Sequence, residues 1–380
     1  MTKRLVLVGG GHAHLSVLRA LAKQRPAGID VVLITPSKHQ NYSGMLPGWV
    51  AGHYTQAECW VDLDHLIQAA GARGVLDHIV GIDAARRSVR LAQGQWIEYD
   101  VLSLDIGSET DTSWLQSLGD KLLPVKPLDD FFASWPRILA AAKAKKNYKL
   151  VVVGGGAAGI ELALAAQQAF KQTGVDGCVD LVASESGLLP GHAKGVQTRV
   201  QRFAERVGLG LHLARGVGTP DGVLLATGQL VPADLVIAAT GARPVAWLAH
   251  SKLGLDAHGY ILVDKYHRSV SHPNVFAAGD ICARADAVMS RSGVHAVHVG
   301  PVLGQNLLAA LSGGTLRPYL PKRRSLYLLA CGPCYAVASW GHWSAEGQWV
   351  WRWKDWIDRG FIRRFSENPQ TQIAPMVENN

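Results

Sequence analysis

Residues 149–166 read KLVVVGGGAAGIELALAA, and the fold is decided by how this stretch is read. Lys149 to Val153 is the short apolar, Val-rich run of a buried strand. It breaks at Gly154, Gly155 and Gly156, and an Ala- and Leu-rich run with helical spacing follows Gly159. Glycine at 154, 156 and 159 completes the G-x-G-x-x-G spacing. The first allows the tight turn, the second lets the backbone approach a pyrophosphate, and the third lets helix and strand pack closely. The helix that opens there places partial positive charge where an anion would sit. Val179 to Ala183 is the next strand, ending near Ser184 and Glu185. Glu185 is positioned to take the ribose hydroxyls of NADH, and a solvated loop carboxylate is the equal alternative.

The same order of elements opens the chain. Leu5 to Val8 is a strand, Gly9, Gly10, Gly11, His12, Ala13 and His14 form the turn, and Leu15, Leu18, Leu21 and Ala22 share one helical face before the strand Val31 to Ile34. Two departures mark this copy: His14 stands where the third glycine belongs, and Thr35 where an acidic residue usually ends the second strand. Asp100 to Ser108, Asp234 to Pro244 and Asn274 to Asp280 are further buried strands that run into small-residue turns. Ends of this kind, at the carboxyl edge of a parallel sheet, are where a doubly wound fold binds its ligand.

Together, the fingerprints at Gly9 and Gly154, the turn Ala239, Thr240, Gly241 and the segment Phe276 to Asp280 resemble the pyridine nucleotide-disulfide oxidoreductase superfamily, the flavoproteins with two dinucleotide-binding domains. The branch with type II NADH dehydrogenases and sulfide:quinone oxidoreductases is the most similar. Within it, Gly9 to His14, Tyr42 to Gly48 and Trp349 to Asp358 resemble the flavoproteins associated with selenide,water dikinase. The resemblance implies an α/β fold with two doubly wound Rossmann-like domains, as in glutathione reductase, and a small C-terminal α+β region. It implies an FAD-binding domain over residues 1–112 and 244–318, an NAD(P)H-binding domain over 113–243, and a hairpin with an amphipathic helix over 319–380. FAD would contact Gly9, Gly11, His12, Ala13, His14, Ser43, Met45, Gly107, Lys126, Gly279, Asp280 and His295. NAD(P)H would contact Gly154, Gly156, Gly159, Glu161, Glu185 and Gly241. The segments Ser43 to Pro47 and Val125 to Pro127 would line the flavin, and the helix after residue 292 would aim its N-terminus at the ring.

Cys331-Gly332-Pro333-Cys334 has the spacing of a redox dithiol. Its flanks, Tyr327 to Ala330 and Tyr335 to Ser339, read as strands, so the pair falls in a hairpin turn, unlike the helix-opening site of thioredoxin. A redox role for Cys331 and Cys334 and a tight turn with incidental thiols both remain open, as does a metal half-site without its other ligands. Cys59, Cys178 and Cys282 are single. No His, Cys and acid set has metal spacing, so no metal is expected. His295 and His298 would lie near the start of the flavin-facing helix, touching the cofactor, protonating an acceptor, or serving structure alone.

The 380 residues are 48% hydrophobic and 18% charged, enough to bury two cores and too apolar for a disordered chain. A net charge of +8, spread along the sequence, suits anionic ligands or membrane surfaces and calls for no nucleic acid. Six of the twelve tryptophans fall between Trp340 and Trp356. Lys322, Arg323 and Arg324 precede them as a basic patch, and Trp349 to Trp353 alternates like a strand with one aromatic face. A helical period then puts Trp353, Trp356, Ile357, Phe361 and Phe365 on one face, with Lys354, Asp358, Arg359 and Arg363 elsewhere. Such a helix would contact a membrane surface or a second copy of the chain, or would pack internally. No secretory leader and no apolar run of spanning length are read, so a cytoplasmic chain is expected, peripheral on the inner membrane face where it is attached. The expected activity passes a hydride from NAD(P)H to FAD and on to a small acceptor, a quinone first. A sulfur or selenium compound or a disulfide handled by Cys331 and Cys334 is the second reading, and a flavin-binding redox sensor without turnover is the third.

Overall fold

The computed structural model describes residues 2–367 apart from Arg25, Val288, residues 290–292 and Arg323. Arg323 of the basic patch therefore lies outside the described residues.

Two five-stranded parallel sheets form the frame. The first has the spatial order Val275–Ala277, Val101–Leu104, Lys3–Val8, Ile29–Thr35, Arg73–Leu76. The second has the order Leu122–Pro124, Leu235–Ala238, Tyr148–Val153, Gly177–Ala183, Gly210–Leu213. In each, the strand that precedes a glycine turn is central, which is why Leu5 to Val8 and Leu150 to Val153 are nearly continuous apolar runs buried on both faces. The helix His12–Gln24 leaves the first turn and Ala157–Thr173 leaves the second.

The expectation of no spanning-length apolar run needs one correction. The helix Gly293–Ser312 is long and apolar enough by length and composition. Ala296, Val299, Leu303, Leu307 and Leu311 are nonetheless buried in it, and Gly300 and Gly304 bring it against Ser16, Val17 and Ala20 of the first helix. It is a core helix of the first sheet's layer.

The C-terminal region is a three-stranded antiparallel sheet, Leu326–Ala330, Ala336–Trp340 and Trp343–Gly347, followed by the helix Gln348–Ser366. Trp349 to Trp353, expected as a strand, belongs to this helix. Five alternating residues fit either period, and the register set by Val350, Asp358, Phe361 and Phe365, all buried, is helical. The helix also divides differently from expectation. Phe361 and Phe365 point inward, whereas Trp349, Trp356 and Ile357 are exposed. Lys354 and Asp358, expected outside, turn inward because residues four apart can satisfy each other: Lys354 Nζ lies 2.8 Å from Asp358 Oδ2.

Candidate functional site

The first glycine turn meets the end of the strand Val101–Leu104. A methyl group on Gly11 would lie 2.4 Å from the Asp105 carboxyl carbon, so only glycine admits this approach. Asp105 Oδ2 accepts hydrogen bonds from the amides of Ala13 at 2.8 Å and His14 at 3.0 Å. The missing third glycine has a structural explanation. His14 is completely buried, with Nδ1 2.6 Å from the Gly9 carbonyl and Nε2 2.8 Å from Ser103 Oγ. A carbonyl can only accept, so Nδ1 carries the proton and the Ser103 hydroxyl donates to Nε2. Burial pulls the ring down to about 4, and the Gly9 carbonyl opposes this. The His14 side chain thus ties the turn to the neighbouring strand.

His12 opens the first helix and is the unsatisfied group of the site: its Nε2 is buried without a hydrogen-bond partner. Burial is the main cause that lowers it to about 4, with Asp280 raising it and Lys126 lowering it further. Gly293, at the start of the core helix, is close to both Ser43 and His12, since a methyl there would lie 3.6 Å from Ser43 Oγ and 3.9 Å from His12 Cε1. Met45 is buried in the single turn Ser43–Met45. Lys126 Nζ reaches Asp280 Oδ2 at 2.5 Å and Ser108 Oγ at 3.2 Å. Gly279 closes the ring, its missing side chain leaving room for Asp105 Oδ1. His295 is half-buried in the first turn of Gly293–Ser312, held below its ordinary value by burial and by His298. Gly9, Gly11, His12, Ala13, Ser43, Lys126, Gly279 and Asp280 are thereby linked around two helix N-termini.

This arrangement fits a flavin dinucleotide. Two helices present their N-termini, the glycines leave no space for side chains, and a buried imidazole nitrogen lacks a partner. Gly107, at φ +73°, has open space where a side chain would be.

At the second turn Gly154 holds φ +139° and a methyl there would collide with the Ala239 carbonyl at 2.2 Å. On Gly159 it would meet the Gly154 carbonyl at 1.9 Å. Gly156, the N-cap of Ala157–Thr173, instead faces open space, so the first amides of that helix are available to a phosphate. This cradle fits a nicotinamide dinucleotide. Gly241 is exposed two residues after Ala239, whose carbonyl faces Gly154. Glu185 is exposed and accepts from the Arg215 amide at 3.2 Å, beside the Arg215 guanidinium at 3.7 Å. Glu161 is engaged elsewhere: its buried carboxyl accepts from the Ala330 amide at 2.7 Å, in the C-terminal hairpin. Burial pushes it up to about 7, Lys354 opposes, and Asp358 adds to the rise.

The cysteines lie where a hairpin turn was expected. Cys331 N donates to the Tyr335 carbonyl at 2.8 Å, and Gly332 rests against the Leu164 backbone of the second-turn helix. All five thiols are free. Cys331 is buried, which holds its thiol well above the ordinary range, and Glu161 adds to the effect. Cys334 is half-buried, with Sγ 3.9 Å from His53 Nδ1, while His53 Nε2 lies 2.6 Å from the Gly332 carbonyl. Among the described residues no group of His, Cys, Asp and Glu could hold a metal.

The terminal helix covers this region. Phe361 stacks on Tyr42 at 4.2 Å and its ring centre lies 5.6 Å from that of His12. Tyr42 OH donates to Asp358 Oδ1 at 3.1 Å, and Lys354 Nζ donates to the Gly44 carbonyl at 2.8 Å. Asp105, Tyr42, Lys354 and Asp358 were not singled out as site residues. For Asp105 a signal existed, an acid directly after a buried strand. For Lys354 and Asp358 the only signal was their spacing of four.

The family described as pyridine nucleotide-disulphide oxidoreductase matches residues 3–300. The ferredoxin–NAD(+) reductase component of the biphenyl dioxygenase system of Paraburkholderia xenovorans is 29% identical over 296 residues, 74% of this chain and 68% of that one. Alternative NAD(P)H-ubiquinone oxidoreductase C1 of Arabidopsis thaliana is 24% identical over 363 residues, 84% of this chain and 69% of that one. Among solved structures, the sulfide:quinone oxidoreductase of Aquifex aeolicus shares the fold, with a TM-score of 0.79 at 16% identity, over 96% of this chain and 91% of that one.

Proposed function

This chain belongs to the pyridine nucleotide-disulphide oxidoreductase family and is a flavin-dependent NAD(P)H oxidoreductase, and from that premise we propose that its acceptor is a quinone met at a membrane surface. The observation that carries this reading is the two-sided terminal helix. Its inner face lies on Tyr42 and Gly44, beside the first cofactor turn. Its outer face exposes Trp349 by 55% and Trp356 by 67%, with Arg352, Arg363 and Arg364 exposed as well. Trp340 and Trp343 on the adjoining strands add two more exposed indoles. Tryptophan favours the headgroup region and arginine favours anionic lipid. The name of the Arabidopsis relative, a ubiquinone oxidoreductase, points the same way. The chain would then work in the cytoplasm, on the inner face of the membrane.

FAD, when bound, supplies the hydride chemistry between nicotinamide and acceptor. The chain's own part is to hold and orient: Gly154, Gly156 and Gly159 shape one cradle, Gly9, Gly11 and Gly279 the other, and the Lys126–Asp280 pair fixes the rim of the second. The test is an anaerobic titration of the flavin-loaded chain on anionic vesicles. NADH or NADPH should bleach the flavin absorbance and a short-chain quinone should restore it. The vesicles should carry the chain on flotation, and Trp349→Ala/Trp356→Ala should reduce that. Failure to float, together with restoration by a small ferredoxin and none by quinone, would overturn the proposal.

A further inference from the structure

Asp105 is a buried carboxyl in the middle of the first cradle, and its two oxygens face different partners. Oδ2 is spent on the amides of Ala13 and His14, in the first turn of His12–Gln24. Oδ1 faces the opposite turn, where a methyl on Gly279 would lie 2.6 Å from it. The carboxyl therefore stands between the two turns that would hold a diphosphate. Among the described residues no cation is bonded to it. Asp280, on the Gly279–Ile281 turn, adds negative field, and the Lys126 ammonium is bound to Asp280 at 2.5 Å. From the first helix, His12 and His14 are neutral near pH 7, and from the strand Val101–Leu104 the Ser103 hydroxyl is already bonded to His14. Burial raises Asp105 to about 7; the His14 and Ala13 amides oppose this and Asp280 reinforces it.

We propose that Asp105 is a ligand of the flavin diphosphate in its protonated form, so that capture of FAD takes up one proton. The inference rests on the reading that the first turn holds FAD. An ionised carboxylate at this position would face a dianion inside a poorly solvated cradle, and like charges there disfavour ionisation. A neutral acid presents an O–H donor to it. Because Oδ2 accepts two amides, the proton resides on Oδ1, the oxygen that faces Gly279. The balance is one FAD, one proton and one ionised Asp105 giving one complex with a neutral acid. Affinity is then level below the titration of the free chain and falls about tenfold per pH unit above it.

The experiment is isothermal titration of the full chain, stripped of flavin, with FAD at pH 6, 7 and 8 in two buffers of different ionisation enthalpy. Wild type should bind about fivefold more weakly at pH 8 than at pH 7 and take up close to one proton at pH 8. Asp105→Asn should show a level profile, no uptake, and tighter binding than wild type at pH 8. Binding by wild type with no proton uptake and no pH dependence overturns this inference and leaves the flavin reading intact. Absence of FAD binding at every pH overturns the flavin reading itself. The wild-type proton count decides the matter even where the variant folds poorly.

Discussion

The terminal helix is docked through a buried ion pair, and that pair can be broken one partner at a time. Lys354 and Asp358 are only 12% and 5% exposed, their charged atoms are 2.8 Å apart, and each has one further bond, to the Gly44 carbonyl and from the Tyr42 hydroxyl. Burial alone would pull the Lys354 ammonium down, but Asp358 and Glu161 outweigh it and hold it above its ordinary value. At this separation and an effective dielectric near 20 the gross attraction is about 6 kcal/mol. Desolvation costs several kcal/mol per ion, so relative to apolar residues the pair as a whole contributes close to nothing. Removing one partner is different, because it strands a charge. Lys354→Met should therefore cost about 3–5 kcal/mol. Asp358→Leu should cost less than that, since Lys354 keeps Glu161 and Gly44. The double variant Lys354→Met/Asp358→Leu should fall within about 2 kcal/mol of wild type, the remaining loss being the hydrogen bonds of the Tyr42 hydroxyl and the Gly44 carbonyl. Chemical denaturation followed by tryptophan fluorescence, to which Trp349, Trp351, Trp353 and Trp356 on this helix contribute, reports the transition. Raising the salt should leave the coupling unchanged, as screening acts on exposed pairs. If the two single losses simply add in the double variant, the pair is uncoupled and the reasoning fails.

Two further outcomes follow from the cradles. Gly156→Ala should leave the thermal midpoint unchanged, because its methyl meets open space, yet weaken NADH binding in a fluorescence titration; Gly159→Ala should cost about 1–3 kcal/mol, because its methyl meets the Gly154 carbonyl. Equal stability of the two variants would refute this account. Glu161 is raised to about 7 chiefly by burial, so the folded state keeps a proton that the unfolded state releases near pH 4.5. Its contribution is complete below 4.5 and is lost as pH rises to 7, on the order of 3 kcal/mol at about 1.4 kcal/mol per unit. Glu161→Gln should remove that slope, seen as a wild-type-minus-variant difference that changes between pH 5 and 8 in denaturant midpoints. A constant difference would exclude it.

The frame was legible because its signals are local. A strand, a glycine turn and a helix occupy about twenty consecutive residues, and each glycine answers to a neighbour within the same unit or to the adjacent strand: Gly154 to Ala239, Gly159 to Gly154. The hairpin at Cys331 was legible for the same reason, as two apolar runs around Gly332 and Pro333. The strand expected over Trp349 to Trp353 failed because five residues do not separate a period of two from 3.6 when Val350 and Trp351 are both apolar.

The chemistry of the first site was less legible, and the reason is charge. Patterning treats Asp, Lys and His as outward-facing, yet Asp105, His14, Lys354 and Asp358 all turn inward. Apart from the Lys354–Asp358 pair itself, the partners come from elsewhere: Asp105 meets amides 92 and 91 positions away, His14 meets Ser103 at a separation of 89, and Asp358 meets Tyr42 at 316. No spacing rule over a window of one helix or strand can find such pairs. What sequence does retain is the cost they would carry unpaired, so an acid at the end of a fully apolar strand, as in Val101 to Asp105, marks a place where something must meet it. Here the meeting group is a helix N-terminus. A second anion at that N-terminus can be accommodated only if the first gives up its charge, and this makes the proton on Asp105 part of the binding site.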